Sequence, residues 1–342
     1  AGGFIAEGGT SKSTLTLGEA VYIALMRPLY GHDIERPGPV LFVSAEDDRA
    51  TINYRLQCIA RALHLTAADI KLLERMIYVE DLAGKMWRLV CSDEHGNLAR
   101  TDLGDRLIQA YKGSGLVLIN IDPTNLFGPG ERFVNDAEAA LMVEGQRIAR
   151  ELGCTVRFVH HTSKMVARGG IVDQYVGRGG ASFADNSRFQ HQLVNHRMDD
   201  AVYRLPALVN PADDFELKRA MQEGRVLRLH TNKLSWGPRP LDPVWLMRKG
   251  FEFIWIDPAQ FVSSTVHAAQ QTRDAQRRVI AYVRARLAAG EKLSRKTRVE
   301  DRHDELRLKR AKAEEIVIDM LAAGYLKWVD LPKEERRGSL KA

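Results

Sequence analysis

The sequence contains little cysteine and no long hydrophobic run. Its 342 residues include three cysteines, Cys58, Cys91 and Cys154, which are far apart and lie in apolar patterns. This number and spacing do not predict a disulfide framework or a metal site, so we expect buried free thiols in the reducing cytoplasm. The sequence contains no run of about 18 apolar residues, so it predicts no membrane-spanning helix. No signal peptide, zinc-ligand pattern, internal repeat or low-complexity tract is visible.

Most of the chain also lacks an excess of charge of either sign. The net charge is +6, but the segment from Thr272 to the end carries 19 Lys and Arg residues against 12 Asp and Glu residues. The positive charge therefore belongs to the carboxyl-terminal segment. Such a distribution is expected of a nucleic-acid-binding appendage, although charge alone favours a solvated helical face.

A glycine-rich segment near the amino terminus predicts a phosphate-binding loop. Residues 6–14 read Ala-Glu-Gly-Gly-Thr-Ser-Lys-Ser-Thr, between an apolar strand pattern and an apolar helical pattern. In such a strand–loop–helix, backbone N–H groups and the helix dipole face a triphosphate. Lys12 is expected to reach the β- and γ-phosphates and Ser13 to hold Mg²⁺. The predicted nucleotide-binding residues are Gly8, Gly9, Thr10, Ser11, Lys12, Ser13 and Thr14.

Two positions of this segment depart from the motif G-x-x-x-x-G-K-[ST]. Ala6 replaces the first glycine, and Ser11 replaces the glycine before the lysine. If that second position requires a positive φ, serine costs on the order of 1–3 kcal/mol. A second interpretation is therefore a small-residue loop that caps an ordinary helix, with Ser13 as a common N-cap residue.

Apolar strand patterns that end in polar residues predict an α/β fold with a mostly parallel central sheet. The strand 40–43 is followed by Ser-Ala-Glu-Asp-Asp, the strand 116–122 ends in Asp122, and the strand 155–159 is followed by His-His-Thr-Ser-Lys. Open parallel sheets bind ligands at the carboxyl ends of their strands. Residues 199–224 are predicted to be a polar excursion rather than part of the sheet.

The carboxyl-terminal segment predicts a winged helix-turn-helix. Helical patterns span 273–289, 297–306 and 309–323, and they are followed by a strand pattern at 325–329 and a basic loop. Three helices, a strand and a wing describe that motif. Residues 257–271 are predicted to be a linker.

In combination, these blocks resemble the RecA-type P-loop ATPase core, most closely the plasmid RepA branch of hexameric replicative DNA helicases. The resemblance covers about residues 2–256. It depends on the Ser-x-Glu-Asp-Asp block at 44–48, the Asp-Pro at 122–123, the His-His-Thr-x-Lys block at 160–164, and a Gly-Ala-Ser-x-x-Asp-x-x-Arg block at 180–188. It implies a RecA-like ATPase domain at 1–256. The linker at 257–271 and the winged-helix domain at 272–342 are predicted from the patterns above, and such a domain is less usual for that branch.

The resemblance implies a role for three residues at the strand ends. Glu46 corresponds to the general base that orients the attacking water, Asp122 to the Walker B aspartate that holds Mg²⁺, and His161 to a sensor of the γ-phosphate. Each has a structural alternative, which is a helix-capping carboxylate for Glu46, an Asp-Pro turn for Asp122 and a packed core histidine for His161.

Four cations complete the implied site. Arg188 and Lys233 are candidates for fingers that a neighbouring subunit inserts, and exposed salt bridges are the alternative for both. Arg168 and Arg178 belong to a glycine-rich loop that corresponds in position to the loop lining the DNA channel, where arginines suit single-stranded DNA phosphates. A simple disordered loop is the alternative there.

The function implied by the resemblance is that of a hexameric helicase that uses ATP and Mg²⁺ to translocate on single-stranded DNA. The carboxyl-terminal domain is expected to bind duplex DNA or a replication partner. One rival function is a RecA/RadA-like recombination or helicase-loader ATPase. Another is a DNA-binding regulator whose winged helix is switched by nucleotide. ATP turnover stimulated by single-stranded DNA favours either motor, and strand displacement distinguishes the helicase from the recombinase.

Overall fold

The computed structural model describes residues 1–95, 97–128, 134–162, 172–177, 181–196, 205–240, 242–290, 303–306 and 308–327. The chain divides into two compact units. The first contains residues 1–204 and 210–257, and the second contains residues 205–209 and 258–342. None of the described helices is long and apolar enough to cross a membrane.

The first unit alternates strands and helices. Its strands are β1 (Gly2–Ala6), β2 (Val40–Ser44), β3 (Ile77–Asp81), β4 (Val90–Ser92), β5 (Leu98–Arg100), β6 (Leu118–Asp122), β7 (Thr155–His161), β8 (Phe189–Asn195), β9 (Val226–Leu234), β10 (Val244–Lys249) and β11 (Glu252–Trp255). Its helices are α1 (Lys12–Ala24), α2 (Arg49–Ala62), α3 (Ala67–Met76), α4 (Leu103–Tyr111), α5 (Val134–Leu152), α6 (Ser182–Asn186) and α7 (Pro211–Gln222).

Nine of these strands form one mostly parallel sheet. Their order is β11-β10-β9-β8-β1-β7-β6-β2-β3. The six strands from β8 to β3 are parallel to one another, whereas β9, β10 and β11 extend the sheet by antiparallel pairing. Every residue of β1, β2 and β6 is buried, as expected for parallel strands covered on both faces. The predicted α/β fold with a mostly parallel central sheet is confirmed.

Side-chain alternation along the strands builds one hydrophobic layer on each face of the sheet. On β2, Leu41 and Val43 point into the layer beside α4 and α5, whereas Val40 and Phe42 point into the layer beside α1 and α2. Some buried polar side chains interrupt the apolar strands, among them Asn120 of β6, Arg157 of β7 and Gln190 of β8. Asp122 and His161 lie at the carboxyl ends of β6 and β7, the edge at which open parallel sheets bind ligands.

The second unit contains two described α-helices, α8 (Ser263–Ala288) and α9 (Arg310–Ala322). They share a small core with Leu306, to which α8 contributes Val279 and α9 contributes Ile316 and Met320.

Helix α8 begins inside the segment 257–271, which was predicted to be a linker, so the carboxyl-terminal part of that segment is helical. Residues 263–271 contain neither glycine nor proline, so the helical pattern extends back to Ser263 without a break. The segment 199–224, which was predicted to be a polar excursion, contains α7. Asn210 caps this helix by accepting from the N–H of Ala212 at 2.9 Å.

The described part of the second unit does not confirm the predicted winged helix. Residues 303–306 form turns rather than the end of a helix, and residues 297–302 lie outside the described part. Gly324 adopts φ 75, so the N–H groups of Tyr325 and Leu326 donate to the Met320 carbonyl. These residues therefore close α9 instead of starting the predicted strand at 325–329. The rest of that strand and the basic loop lie outside the described residues.

A buried polar cluster joins α1 to the sheet beneath it. Arg157 of β7 donates from Nη1 to Glu19 of α1 at 2.6 Å and from Nε to Asn120 of β6 at 2.7 Å. The hydroxyl of Tyr30 donates to the other Glu19 oxygen at 2.9 Å. Burial and the charge of Glu19 raise the pKa of Tyr30, so the phenol remains a donor.

Replacing Arg157 by alanine should destabilise the first unit by about 3–5 kcal/mol, because Glu19 would remain buried without its partner. Chemical denaturation provides the measurement. Lys218→Ala is the matched control, because the Lys218 side chain that pairs with Asp214 at 2.6 Å is mostly exposed, and such a pair is expected to contribute under about 1 kcal/mol. Equal losses in the two variants would contradict this account of the cluster.

Candidate nucleotide site

The segment between β1 and α1 forms a tight loop at the carboxyl edge of the sheet. Thr10 donates to the Glu7 carbonyl from its N–H at 3.3 Å and from its hydroxyl at 2.7 Å. Gly9 adopts φ 83 and Ser11 adopts φ 64. The position before Lys12 therefore does require the left-handed region, and serine there costs on the order of 1–3 kcal/mol. Ser11 is the N-cap residue of α1, but its hydroxyl does not cap the helix.

Lys12 lies beside His161, which ends the strand that pairs with β1. That pairing aligns Ala6 with His161, and the Lys12 Nζ atom is 3.3 Å from His161 Nδ1. An ammonium group has no lone pair, so a hydrogen bond here requires Nδ1 to accept and the imidazole proton to be on Nε2. Lys12 is 8% exposed. The contact therefore holds a buried ammonium at the amino-terminal end of α1.

Ser13 lies beside Asp122, which ends β6. The serine hydroxyl donates to Asp122 Oδ2 at 2.6 Å, and Asp122 is 9% exposed. Burial raises the pKa of Asp122 to about 6, while the Ser13 hydrogen bond and the Lys12 charge oppose the rise. Asp122 Oδ1 is buried and has no hydrogen-bond partner among the described residues.

This pair of oxygens fits a magnesium ion. Mg²⁺ takes oxygen ligands, of which one or two come from the protein and the others from phosphates and water. The Ser13 hydroxyl and the Asp122 carboxylate supply such a pair, and the unpartnered Oδ1 atom is the kind of group that a cation would satisfy. A bound divalent cation would also stabilise the charged form of the Asp122 carboxylate.

The three acidic residues after β2 have different surroundings. The Asp48 side chain accepts from the N–H of Thr51 at 2.7 Å and is the N-cap residue of α2. Asp47 pairs with Arg55 at 2.9 Å. Glu46 is exposed and makes no ion pair or hydrogen bond within the described part of the chain. The capping role considered for Glu46 thus belongs to Asp48, while the charge of Glu46 contributes to the raised pKa of Asp122.

Arg188 does not lie beside the phosphate loop of its own chain. Its N–H donates to the Ala1 carbonyl at 2.9 Å, and β8 runs parallel to β1 with Gln190 aligned to Gly3. Arg188 is therefore at the amino-terminal end of these strands, whereas the loop follows their carboxyl ends. Its side chain is exposed.

Lys233 lies at the same edge as Arg188, because β9 pairs it with Gln190. Its ammonium donates to the carbonyls of Ala184 at 2.6 Å and Asp185 at 3.0 Å, in α6. Burial is the main cause that lowers the pKa of Lys233. In this chain Lys233 therefore stabilises the carboxyl-terminal part of α6.

The predicted DNA-binding residues Arg168 and Arg178 lie outside the described residues. The described flanks of their loop meet in an isolated bridge between Thr162 and Gly177.

One residue at the loop was missed in the sequence. Arg248 near the end of β10 donates from Nη1 to the Ser11 hydroxyl at 2.5 Å. In the sequence, residues 248–250 indicated only a turn between two strands. Leu246 of β10 belongs to the same hydrophobic cluster as Leu15 of α1, and Arg248 is two residues farther along the same face. This placement depends on strand pairing, so no local sequence signal indicated it.

Lys12→Ala should abolish detectable nucleotide binding at concentrations that saturate the unaltered protein, because the charge at the β- and γ-phosphates is lost. Calorimetry or a fluorescent ATP analogue measures the affinity. Lys71→Ala removes an exposed lysine of α3 and should leave binding unchanged. If Lys12→Ala and Lys71→Ala bound equally well, the loop would not be a phosphate site.

Comparison with known families agrees with this arrangement. Residues 2–166 match a family model described as AAA domain, a span that contains the phosphate loop, Glu46, Asp122 and His161. That match and the mostly parallel sheet are as expected for a RecA-type P-loop core, whereas the winged helix is not confirmed.

Two solved structures are similar to the chain at low identity. One, which its title describes as an ATPase domain, is 17% identical, with a TM-score of 0.48 over 75% of this chain and 84% of that chain. The other, titled "The Structure Of A DnaB-Like Replicative Helicase And Its Interactions With Primase", is 13% identical, with a TM-score of 0.46 over 75% of this chain and 58% of that chain.

Proposed function

We propose that this chain is an ATP-driven DNA motor, a ring-forming, hexameric helicase that translocates on single-stranded DNA. The match of residues 2–166 to the family model described as AAA domain supports the use of ATP. The observation that supports this most is the grouping at one sheet edge. Lys12 contacts His161 and Ser13 contacts Asp122, while the exposed Glu46 acts electrostatically on Asp122. These are the groups needed to bind a triphosphate, hold its metal and activate water.

Each of these residues has a separate role in the proposed hydrolysis of ATP. Lys12 and the N–H groups at the start of α1 bind the phosphates. Ser13 and Asp122 would hold Mg²⁺, which would neutralise charge on the phosphates. Glu46, the carboxylate without a structural partner in the described residues, orients the attacking water and accepts its proton.

His161 responds to the nucleotide through Lys12. In the structure the Lys12 ammonium is directed at His161 Nδ1, and a γ-phosphate competes for the same ammonium. Binding of the triphosphate therefore changes the hydrogen bonding of His161. Because His161 ends β7 and precedes the loop of Arg168 and Arg178, this change would reach the segment proposed to contact DNA.

The positions of Arg188 and Lys233 are consistent with a nucleotide site that a neighbouring subunit completes. Both lie at the amino-terminal end of the strands, away from the phosphate loop of their own chain. In a ring, that edge of one subunit can face the nucleotide of the next. The second unit is proposed to bind duplex DNA or a replication partner.

Turnover of ATP with and without single-stranded DNA tests the function. The unaltered protein should hydrolyse ATP faster when DNA is present. Glu46→Gln should retain nucleotide affinity but reduce kcat by about 10²–10⁴-fold. Glu151→Gln, a change at an exposed site on α5, is the control and should keep wild-type turnover. Wild-type turnover by Glu46→Gln would refute the assignment of Glu46, and turnover indifferent to DNA would favour a regulator over a motor.

Mixing inactive variants tests whether Arg188 acts in a neighbouring site. Arg188→Ala should bind ATP normally but hydrolyse it about 10³–10⁵-fold more slowly, the effect expected when an arginine finger is removed. In mixtures with Glu46→Gln, some interfaces would pair an intact Glu46 with an intact Arg188, so part of the activity should return. Size measurements must show that mixed rings form. Activity that stays flat at every ratio in such rings would mean that Arg188 does not act in trans.

A further inference from the structure

The phosphate loop is contacted by a cation from a distant part of the chain. Arg248 donates from Nη1 to the Ser11 hydroxyl at 2.5 Å, although 237 residues separate the two. Strand β10 runs in the same direction as β1, because β8 is parallel to β1 and two antiparallel pairings follow. The carboxyl end of β10 therefore reaches the same sheet edge as the loop.

The backbone of Arg248 is fixed from the side of β9. Its N–H donates to the Arg225 carbonyl at 2.8 Å, and its carbonyl accepts from Arg225 Nη1 at 3.0 Å. Arg225 itself pairs with Glu223 at 2.6 Å. The nearby carboxylate is thus used by Arg225, and Arg248 makes no ion pair within the described residues.

The guanidinium of Arg248 retains donors that the protein does not use. A guanidinium has five N–H donors. Among the described residues, its hydrogen bonds are those to Ser11 and, from Nε, to the Gly250 carbonyl at 3.2 Å. The remaining donors are next to a helix amino terminus whose N–H groups favour anions. The guanidinium also has the planar geometry that matches phosphate oxygens.

We propose that Arg248 is a second phosphate-binding cation of the nucleotide site, supplied by the same subunit. This inference depends on the proposed nucleotide binding and extends it. The Ser11 hydroxyl holds the guanidinium beside the loop, where its donors bind the α- or β-phosphate of a nucleoside di- or triphosphate. The serine that departs from the loop motif then has a function that glycine cannot perform, because glycine has no side-chain acceptor for Arg248.

The proposal can be tested by measuring the affinity of Arg248→Ala for three ligands: Mg-ADP, a non-hydrolysable Mg-ATP analogue and adenosine. Affinity for both phosphorylated ligands should fall about 10- to 100-fold, the loss expected for hydrogen bonds to a charged group, and adenosine binding should not change. The affinity of Arg248→Lys should lie between those of the unaltered protein and Arg248→Ala, because lysine keeps the positive charge but lacks the planar guanidinium donors. Lys249→Ala is the matched control, since it removes the adjacent, exposed cation, and should bind like the unaltered protein.

A double-mutant cycle tests the part played by Ser11. If Ser11 acts by holding Arg248, Ser11→Gly should weaken ADP binding, and adding it to Arg248→Ala should cause little further loss. Fully additive effects would overturn that role. Equal ADP affinity in Arg248→Ala and Lys249→Ala, even with a lower melting temperature in the former, would make Arg248 merely structural and overturn the proposal.

These outcomes differ from a failure of the proposed function. If the unaltered protein bound none of the phosphorylated ligands, nucleotide binding as a whole would be wrong. If Lys12→Ala lost binding while Arg248→Ala kept it, only the role of Arg248 would be wrong.

Discussion

The candidate site depends on the register of the parallel strands. Ala6 is aligned with His161, and Ser44 is aligned with Asp122. The strands lie side by side with a spacing of about 4.8 Å, so the four loops that follow β1, β2, β6 and β7 meet at one edge. A shift of one residue would turn every side chain of a strand to the other face. The residues of the two hydrophobic layers would then exchange places and lose their packing partners, so the packing of the core and the geometry of the site are fixed by the same pairings.

The helix that carries Lys12 is held by polar as well as apolar contacts. Its Glu19 is tied to Arg157 and through it to Asn120, on the strands that end in His161 and Asp122. The ion pair stabilises this position because each charge is paired with the other, since a buried charge without a partner is costly. The cluster thus fixes the orientation of α1 relative to the two strands whose ends face its amino terminus.

Local signals were sufficient for much of this arrangement. The apolar strands and the loop could be predicted because buried parallel strands are short apolar runs and a phosphate loop is a contiguous motif. The left-handed backbone of Ser11 also followed from the motif. Asp48 is different, because three adjacent acids gave no basis for deciding which one caps α2.

Long-range contacts were not predictable from such signals. The contact of Arg248 with Ser11 depends on the register of two antiparallel strand pairs, which no local pattern determines. In the second unit, the first helical pattern was predicted to start at Arg273, whereas α8 begins at Ser263. Helix ends depend on caps and breaking residues, and no glycine or proline separates the two positions.

In the proposed ring, the contacts of Lys233 would link neighbouring subunits. Its ammonium satisfies two carbonyls of α6, so reaching a neighbour's phosphate would cost hydrogen bonds that each stabilise by about 1 kcal/mol. The two positions of the lysine would then be thermodynamically linked. Stabilising α6 would weaken the contact with the neighbour's nucleotide, and nucleotide binding there would destabilise α6 by the same free energy.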